Sequence, residues 1–364
     1  MPTRFRQSNK TYPYMDKPNR QPSRRDLLGA RLPGDADRQE NSAEEPKFGP
    51  LFHFSANAMG CEFQVLCTSE GRKALATAVT DGFDLIQYLE QQLSIYRPSS
   101  ELSQINRSAF SEPISVEPAL FSLLQLANEI CEITEGAFDV TATPLTRLWK
   151  SHRQTRSLPS QPEIIECLRC VGSQHLIFDS TANTLRFEME GMTIDLGGIG
   201  KGYALDRLNE HLQSAGCTDF LIHGGQSSVI STGQRSDRSG NQKHPWQIAV
   251  THPLLAKQTL ATLHLQDQAI GTSGSGRQNF VVDGKRYGHI IDPRNGWPAD
   301  NLLSVTVIAK SAVLADALAT AIFVAGQPSA NAICNHFNVA AILISNAGKI
   351  IETINMPDEN IRLA

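Results

Sequence analysis

The stretch YGHIIDPRNGWPAD, residues 287–300, sets His289, Asp292 and Arg294 around an Asn-Gly pair and beside two isoleucines. Histidine titrates near neutral pH and so suits acid–base chemistry. The stretch therefore reads either as a ligand clamp or as a hairpin corner. A second stretch, IDLGGIGKGYALD (194–206), predicts a strand ending at Asp195, a glycine turn and a helix beginning near Lys201. Backbone N–H groups at such a helix start suit phosphate, and Lys201 adds a positive charge. The spacing is neither G-x-x-x-x-G-K-[ST] nor G-x-G-x-x-G, so a tight turn with packing glycines explains it equally well. A third stretch, LADALATA, puts Asp316 and Thr320 four residues apart on one face of an otherwise aliphatic helix. A buried aspartate needs a partner. A hard divalent cation would serve, as would a hydrogen bond from a neighbouring turn.

Weaker candidates lie nearby. AIGTSGSGRQNF (269–280) offers Thr272 and Ser273 to phosphate or metal-bound water, or is a plain hairpin connection. In IHGGQSS (222–228), Gly224 and Gly225 permit close backbone approach. Tyr96 precedes a Pro-Ser-Ser turn, where it could stack on a flat ring or simply pack. Phe138 and Asp139 open an extended segment, and Asp139 could bind a ligand or cap the turn.

These residues need elements to hold them. Residues 51–69 read as strand, Met-Gly turn, strand; 71–96 and 117–136 as helices, the second ended by Gly136; 143–151 as a short helix. A third helical segment begins after the prolines near 159–162. Strands are expected at HLIFDS, TLRFEM and MTID, then an amphipathic helix over 201–217. Further strands follow, with Asp283-Gly284 as a hairpin turn, an apolar helix over 312–326, and two last strands joined at Asn-Ala-Gly. Helices interspersed with hairpins, and no 20–50-residue repeat, predict an α+β fold of antiparallel sheets flanked by helices.

Composition narrows the function classes. The chain has 364 residues, 40% hydrophobic and 19% charged, with a net charge of −4. That describes a globular protein without a basic field for nucleic acid. Its seven cysteines are scattered, which fits reduced thiols; the single Cys-x-x-Cys at 167–170 lacks a second half for zinc. No apolar run reaches the ~18 residues of a membrane span. The polar residues 1–48 read as a disordered tail before a domain over 49–364. The twin arginine at 24–25 is followed by GARLPGDADRQ rather than an apolar h-region, so a cytoplasmic location is expected over export.

Taken in order, Met59-Gly60, SIYRPSSELSQIN, GAFDVTATPLTRLW, DLGGIGKGYALD, HGG, TSGSG, YGHIIDPRNGWP and ADALATAIFVAG resemble the ApbE family of FAD:protein FMN transferases, over residues 52–355. The resemblance implies Mg²⁺-dependent transfer of the FMN half of FAD to a threonine or serine of a target flavoprotein, with release of AMP. The acceptor site would be of Ser/Thr-Gly-Ala-Thr type. It also implies a metal held by the Gly198 carbonyl, Asp316 and Thr320. Met59, Tyr96, Ala137, Phe138, Asp139, Asp195, Lys201 and Ile290 match positions beside FAD, and His289 matches the position beside the reacting phosphate. Three positions depart from the family: Cys61 stands where threonine is usual, Gln226 where an acid is common, and Ala319 where many members carry a second aspartate. Alternatives with the same site are hydrolysis of FAD to FMN and AMP, and FAD binding without turnover.

Overall fold

The computed structural model describes residues 48–363, apart from 50, 69–71, 238, 241, 256 and 276–278. Residues 1–47 of the expected tail, with the twin arginine, lie outside the described residues. Phe48, expected to end that tail, forms an isolated bridge with Asp237 and lies edge-on to His244.

The centre is an eight-stranded sheet in which neighbours are antiparallel and follow chain order. Its strands are Leu51–Ala58, Cys61–Thr68, Phe220–Gly224, Ser228–Thr232, Gln268–Gly274, Ser304–Ala309, Ala340–Ile344 and Ile350–Ile354. Such a sheet needs only hairpins, and the first is a two-residue turn at Met59 and Gly60, both with positive φ. That is the turn geometry whose twist matches paired strands.

Most other elements are inserted between these strands; the short strand Ile361–Leu363 follows the last. The largest insertion, between Thr68 and Phe220, holds helices α1 (Arg72–Leu93), α2 (Glu101–Ser108), α3 (Pro118–Ile133), α4 (Thr143–Thr155), α5 (Gln161–Leu168) and α6 (Gly200–Ser214), with a small sheet of Ile114–Ser115, Thr184–Phe187 and Leu176–Asp179. Helices α7 (Ala312–Ala325) and α8 (Gln327–Phe337) join Ser304–Ala309 to Ala340–Ile344.

Alternation along the strands splits the core. Val65, Ile222, Ile230, Ala269, Val305 and Val307 pack under the helices. Ile270, Ile308, Ile342 and Ile344 pack on the other face with Val250, Leu263 and Leu265 of a second antiparallel sheet. A third cluster joins α4, α5 and the hairpin over 279–288 through Leu145, Trp149, Ile164 and Tyr287.

The α+β expectation holds, with local corrections. MTID, expected as a strand, joins no sheet; its backbone is held by Asn106, which accepts from Ile194 N–H at 2.8 Å and donates to Ile194 O at 2.9 Å, and by Asp195 N–H donating to Val140 O at 2.8 Å. A side chain here does the work of a neighbouring strand. Helix α2 arises where only a turn was expected. Ser100 caps it by accepting from Ser103 N–H at 2.9 Å. Among the described residues no helix is long and apolar enough to cross a membrane.

Candidate active site

Helix α7 is apolar almost all round, and so it is buried almost all round. Asp316 is its one charged residue and only 6% exposed. Two donors satisfy it: Ser228 Oγ at 2.5 Å on Oδ1 and Gly202 N–H at 2.9 Å on Oδ2. The Lys201 ammonium stands 3.7 Å from Oδ2. One helical turn on, Thr320 Oγ1 shares a 2.8 Å hydrogen bond with Ser273 Oγ. A Cβ on Gly198 would lie 3.9 Å from Thr320 Oγ1 and 3.1 Å from Phe138. The structure thus gathers Asp316, Thr320, Gly198, Phe138, Lys201 and Ser273 from four distant parts of the chain.

Close backbone approach makes this possible. Gly202 in α6 lies against the Ala312 and Val313 backbone of α7, and Gly271 in its strand lies against the Ala315 backbone. Either Cβ would collide with α7, so glycine is required at both crossings. Asp206, one turn further along α6, caps α7: its two carboxylate oxygens accept from Ala312 N–H at 2.8 Å and Val313 N–H at 2.9 Å. Burial pushes the Asp206 carboxyl up to about 6 against the pull of those bonds. Asn106, Asp206 and Ser228 were not singled out from sequence. Asp206 lies inside the quoted K-G-Y-A-x-D string, but no local pattern reveals that its partner is 106 residues away.

The glycine turn spends much of its hydrogen-bonding capacity internally. Gly197 N–H donates to Asp195 Oδ1 at 2.9 Å, Ile199 and Gly200 N–H to Leu196 O, and Gly202 N–H to Asp316. Burial raises the Asp195 carboxyl, while Gly197 N–H, Arg147 and Lys150 oppose the rise. Asp139 is turned to its own loop: Oδ1 accepts from Thr141 N–H, Thr141 Oγ1 and Ser173 Oγ, and Oδ2 from Ser173 N–H. That geometry fits the turn-capping alternative; the Ala137 and Phe138 N–H groups are held by Thr134, donating to its O at 3.0 Å and its Oγ1 at 3.3 Å. Tyr96 is 76% exposed, with the Lys150 ammonium 5.4 Å from its ring centre.

The His289 loop is a rigid corner. Asp292 N–H donates to Trp297 O, Gly296 N–H to Asp292 O, and Ala299 N–H to Ile290 O. Arg294 grips the Asp292 carboxylate with Nε and a terminal nitrogen, both at 2.8 Å, which raises the arginine further. Trp149 Nε1 donates to Gly296 O at 2.7 Å. Ile291 is buried and Ile290 half-buried, while His289 is exposed at the end of strand Lys285–Gly288. Arg286 bonds Ser275 O at 2.9 Å, which ties this hairpin to the strand that carries Ser273. Met59 sits in the turn before Cys61, packed against the main core. Burial pushes the Cys61 thiol up, with Lys201 opposing and Asp316 adding to the rise.

Among the described residues, no three His, Cys, Asp or Glu side chains cluster as metal ligands. The donors here are of another kind: one carboxylate, one hydroxyl and a neighbouring backbone turn, all oxygen. Such a set fits a hard cation that keeps several waters.

Residues 59–343 match the family model described as the ApbE family. The chain belongs to the ApbE family. Relatives of the ApbE family named FAD:protein FMN transferase include one from Vibrio cholerae, 32% identical over 298 residues, covering 80% of this chain and 86% of that protein. Another, from Chlamydia trachomatis, is 35% identical over 247 residues, covering 65% and 72%. The crystal structure of the ApbE protein from Thermotoga maritima superposes with a TM-score of 0.75 at 30% identity, over 84% of this chain and 97% of that one. The flavin transferase ApbE from Vibrio cholerae gives 0.71 at 30% identity, over 86% and 96%. The antiparallel sheets flanked by helices are thus the fold of ApbE structures.

Proposed function

We propose that this protein is an FAD:protein FMN transferase that moves the FMN half of FAD to a threonine or serine of a target flavoprotein and releases AMP, with Mg²⁺ as cofactor. One observation carries the reading: the buried Asp316 and the half-buried Thr320 of α7 meet Lys201 and the Gly198 turn at one point. Family membership supports it.

The acceptor hydroxyl attacks the phosphorus of the FMN half. A new P–O bond forms, and the P–O bond to the AMP half breaks. His289 is the base we assign to the hydroxyl proton, since its exposed position admits an incoming side chain. Lys201 holds the pyrophosphate. Met59, Tyr96, Ala137, Phe138, Asp195 and Ile290 border the nucleotide, and Asp139 caps the turn after Phe138. Mg²⁺, held by the Gly198 carbonyl, Asp316 and Thr320, would supply positive charge against the pyrophosphate. Ala319 leaves one carboxylate in this set, so metal affinity should be weak.

The test is incubation with FAD and Mg²⁺, with and without an acceptor domain bearing a Ser/Thr-Gly-Ala-Thr-type site. Covalent addition of one FMN to the acceptor, with equivalent AMP, is expected. AMP without acceptor modification would replace transfer by hydrolysis, and neither product would leave an FAD-binding protein.

A further inference from the structure

Helix α4 carries Arg147, Lys150 and Arg153, and Arg156 follows at its C-terminal cap. The spacing of three places them along one ridge of the helix. All four are exposed. Residues 143–156 contain no acid, although the whole chain has 37 acidic against 33 basic residues. Among the described residues none of the four forms an ion pair, and only Arg147 and Lys150 face a carboxylate, that of Asp195; the acids of neighbouring α5 are engaged elsewhere, Glu163 with His152 and Glu166 with Arg169. Four cations in a row facing one carboxylate, on a net-negative protein, are a local reversal of field.

The ridge is also fixed relative to the site. The buried side of α4 supplies Trp149, which stacks on Tyr287 at 5.8 Å and bonds Gly296 O. Those two residues bracket His289 in sequence. At the other edge, Lys150 stands over Tyr96, and Arg147 and Lys150 act on Asp195. The helix that carries the ridge thus packs on the hairpin and loop that hold His289.

Resting on the transferase reading, we propose that the α4 ridge is the docking surface for the acceptor flavoprotein, and that the acceptor meets it with an acidic face. Charged rims of this kind act mainly on association and on partner choice.

The experiment measures flavin transfer to an acceptor domain bearing a Ser-Gly-Ala-Thr-type site, at saturating FAD and Mg²⁺, alongside direct binding of that domain and of FAD. Arg153→Glu with Arg156→Glu reverses two charges at exposed positions away from the nucleotide. The acceptor KM and Kd should rise about tenfold, with kcat and FAD affinity unchanged. The glutamine pair should fall between, and added salt should raise the wild-type KM. An unchanged acceptor KM and Kd overturns the proposal. So does a matching loss of FAD affinity, which would assign the ridge to the nucleotide. Binding of the wild type to anionic vesicles that the variant loses, with the acceptor KM unmoved, overturns it in favour of a membrane. A wild type that binds the acceptor in a charge-sensitive way yet transfers no FMN sinks the transferase reading and keeps the docking surface.

Discussion

Gly202→Ala tests whether the contact between α6 and α7 sets the geometry of the site. A Cβ there would stand 2.6 Å from the Ala312 carbonyl carbon and 2.8 Å from Val313 Cα, and closer still to Ala312 O. Carbon atoms rest at ~3.5–4.0 Å, so the two helices must part by roughly 1 Å. Both obstructing groups are backbone, so no rotamer change relieves the clash. Gly202 N–H donates to Asp316 Oδ2 at 2.9 Å, and a shift of that size breaks the bond. Overpacking costs about 1–3 kcal/mol and the lost bond to a charged group about 1.5–3, while alanine returns about 1 in helix propensity. A net loss of about 2–4 kcal/mol should lower Tm by roughly 3–6 °C in a chain of this size. Transfer should fall on the order of 100-fold, because a 1 Å misplacement costs about that much. Thermal unfolding by circular dichroism and FMN transfer by mass, both below Tm, read the two effects. A variant with wild-type Tm and wild-type rate would refute the reasoning. A lowered Tm with an unchanged rate would show that the Gly202 contact supports the fold alone.

Asp316→Ala strands Ser228 Oγ and Gly202 N–H and removes the one carboxylate of the set; transfer measured at fixed Mg²⁺ should drop at least ~100-fold, with a stability loss of about 1–3 kcal/mol. Asp206, pushed up to about 6 by burial, holds a proton in the folded protein where the unfolded chain has lost it. Its contribution to stability therefore declines as pH rises from about 4 to about 6 and is flat above; urea unfolding across that range should show the slope, and Asp206→Asn should remove it. Gly296 has φ +78, and a Cβ there would run into Ile164 and lie 3.1 Å from Leu145 Cδ2, so Gly296→Ala should cost about 1–3 kcal/mol in denaturant unfolding. His289→Ala should lower transfer by ~100-fold or more while FAD affinity, read by fluorescence, stays within twofold.

Much of the local structure was legible before the fold was known. The pairing of Asp316 with Thr320 follows from helical spacing, the Met59-Gly60 and Asp283-Gly284 turns from their residue types, and the closure of α7 from Gly326. Each depends on neighbours within a few positions, and a linear pattern can encode that. MTID misled because alternation and β-branching describe an extended backbone and not what that backbone bonds; Asn106, from a different helix, took the place of a partner strand. Helix α2 escaped because its eight residues give little more than two turns of periodicity. What surrounds Asp316 was not readable at all. Gly202 lies 114 residues away, Ser228 88 residues away, and the choice between buried hydrogen bonds and a cation depended on their arrival. Asp139 shows the same limit, its carboxylate drawn inward by Ser173 across 34 positions. Sequence alone determined which residues could do chemistry and which local elements carry them. The tertiary structure decided which of them meet, because those contacts depend on glycine-permitted backbone approach and on donors that fold back from distant segments.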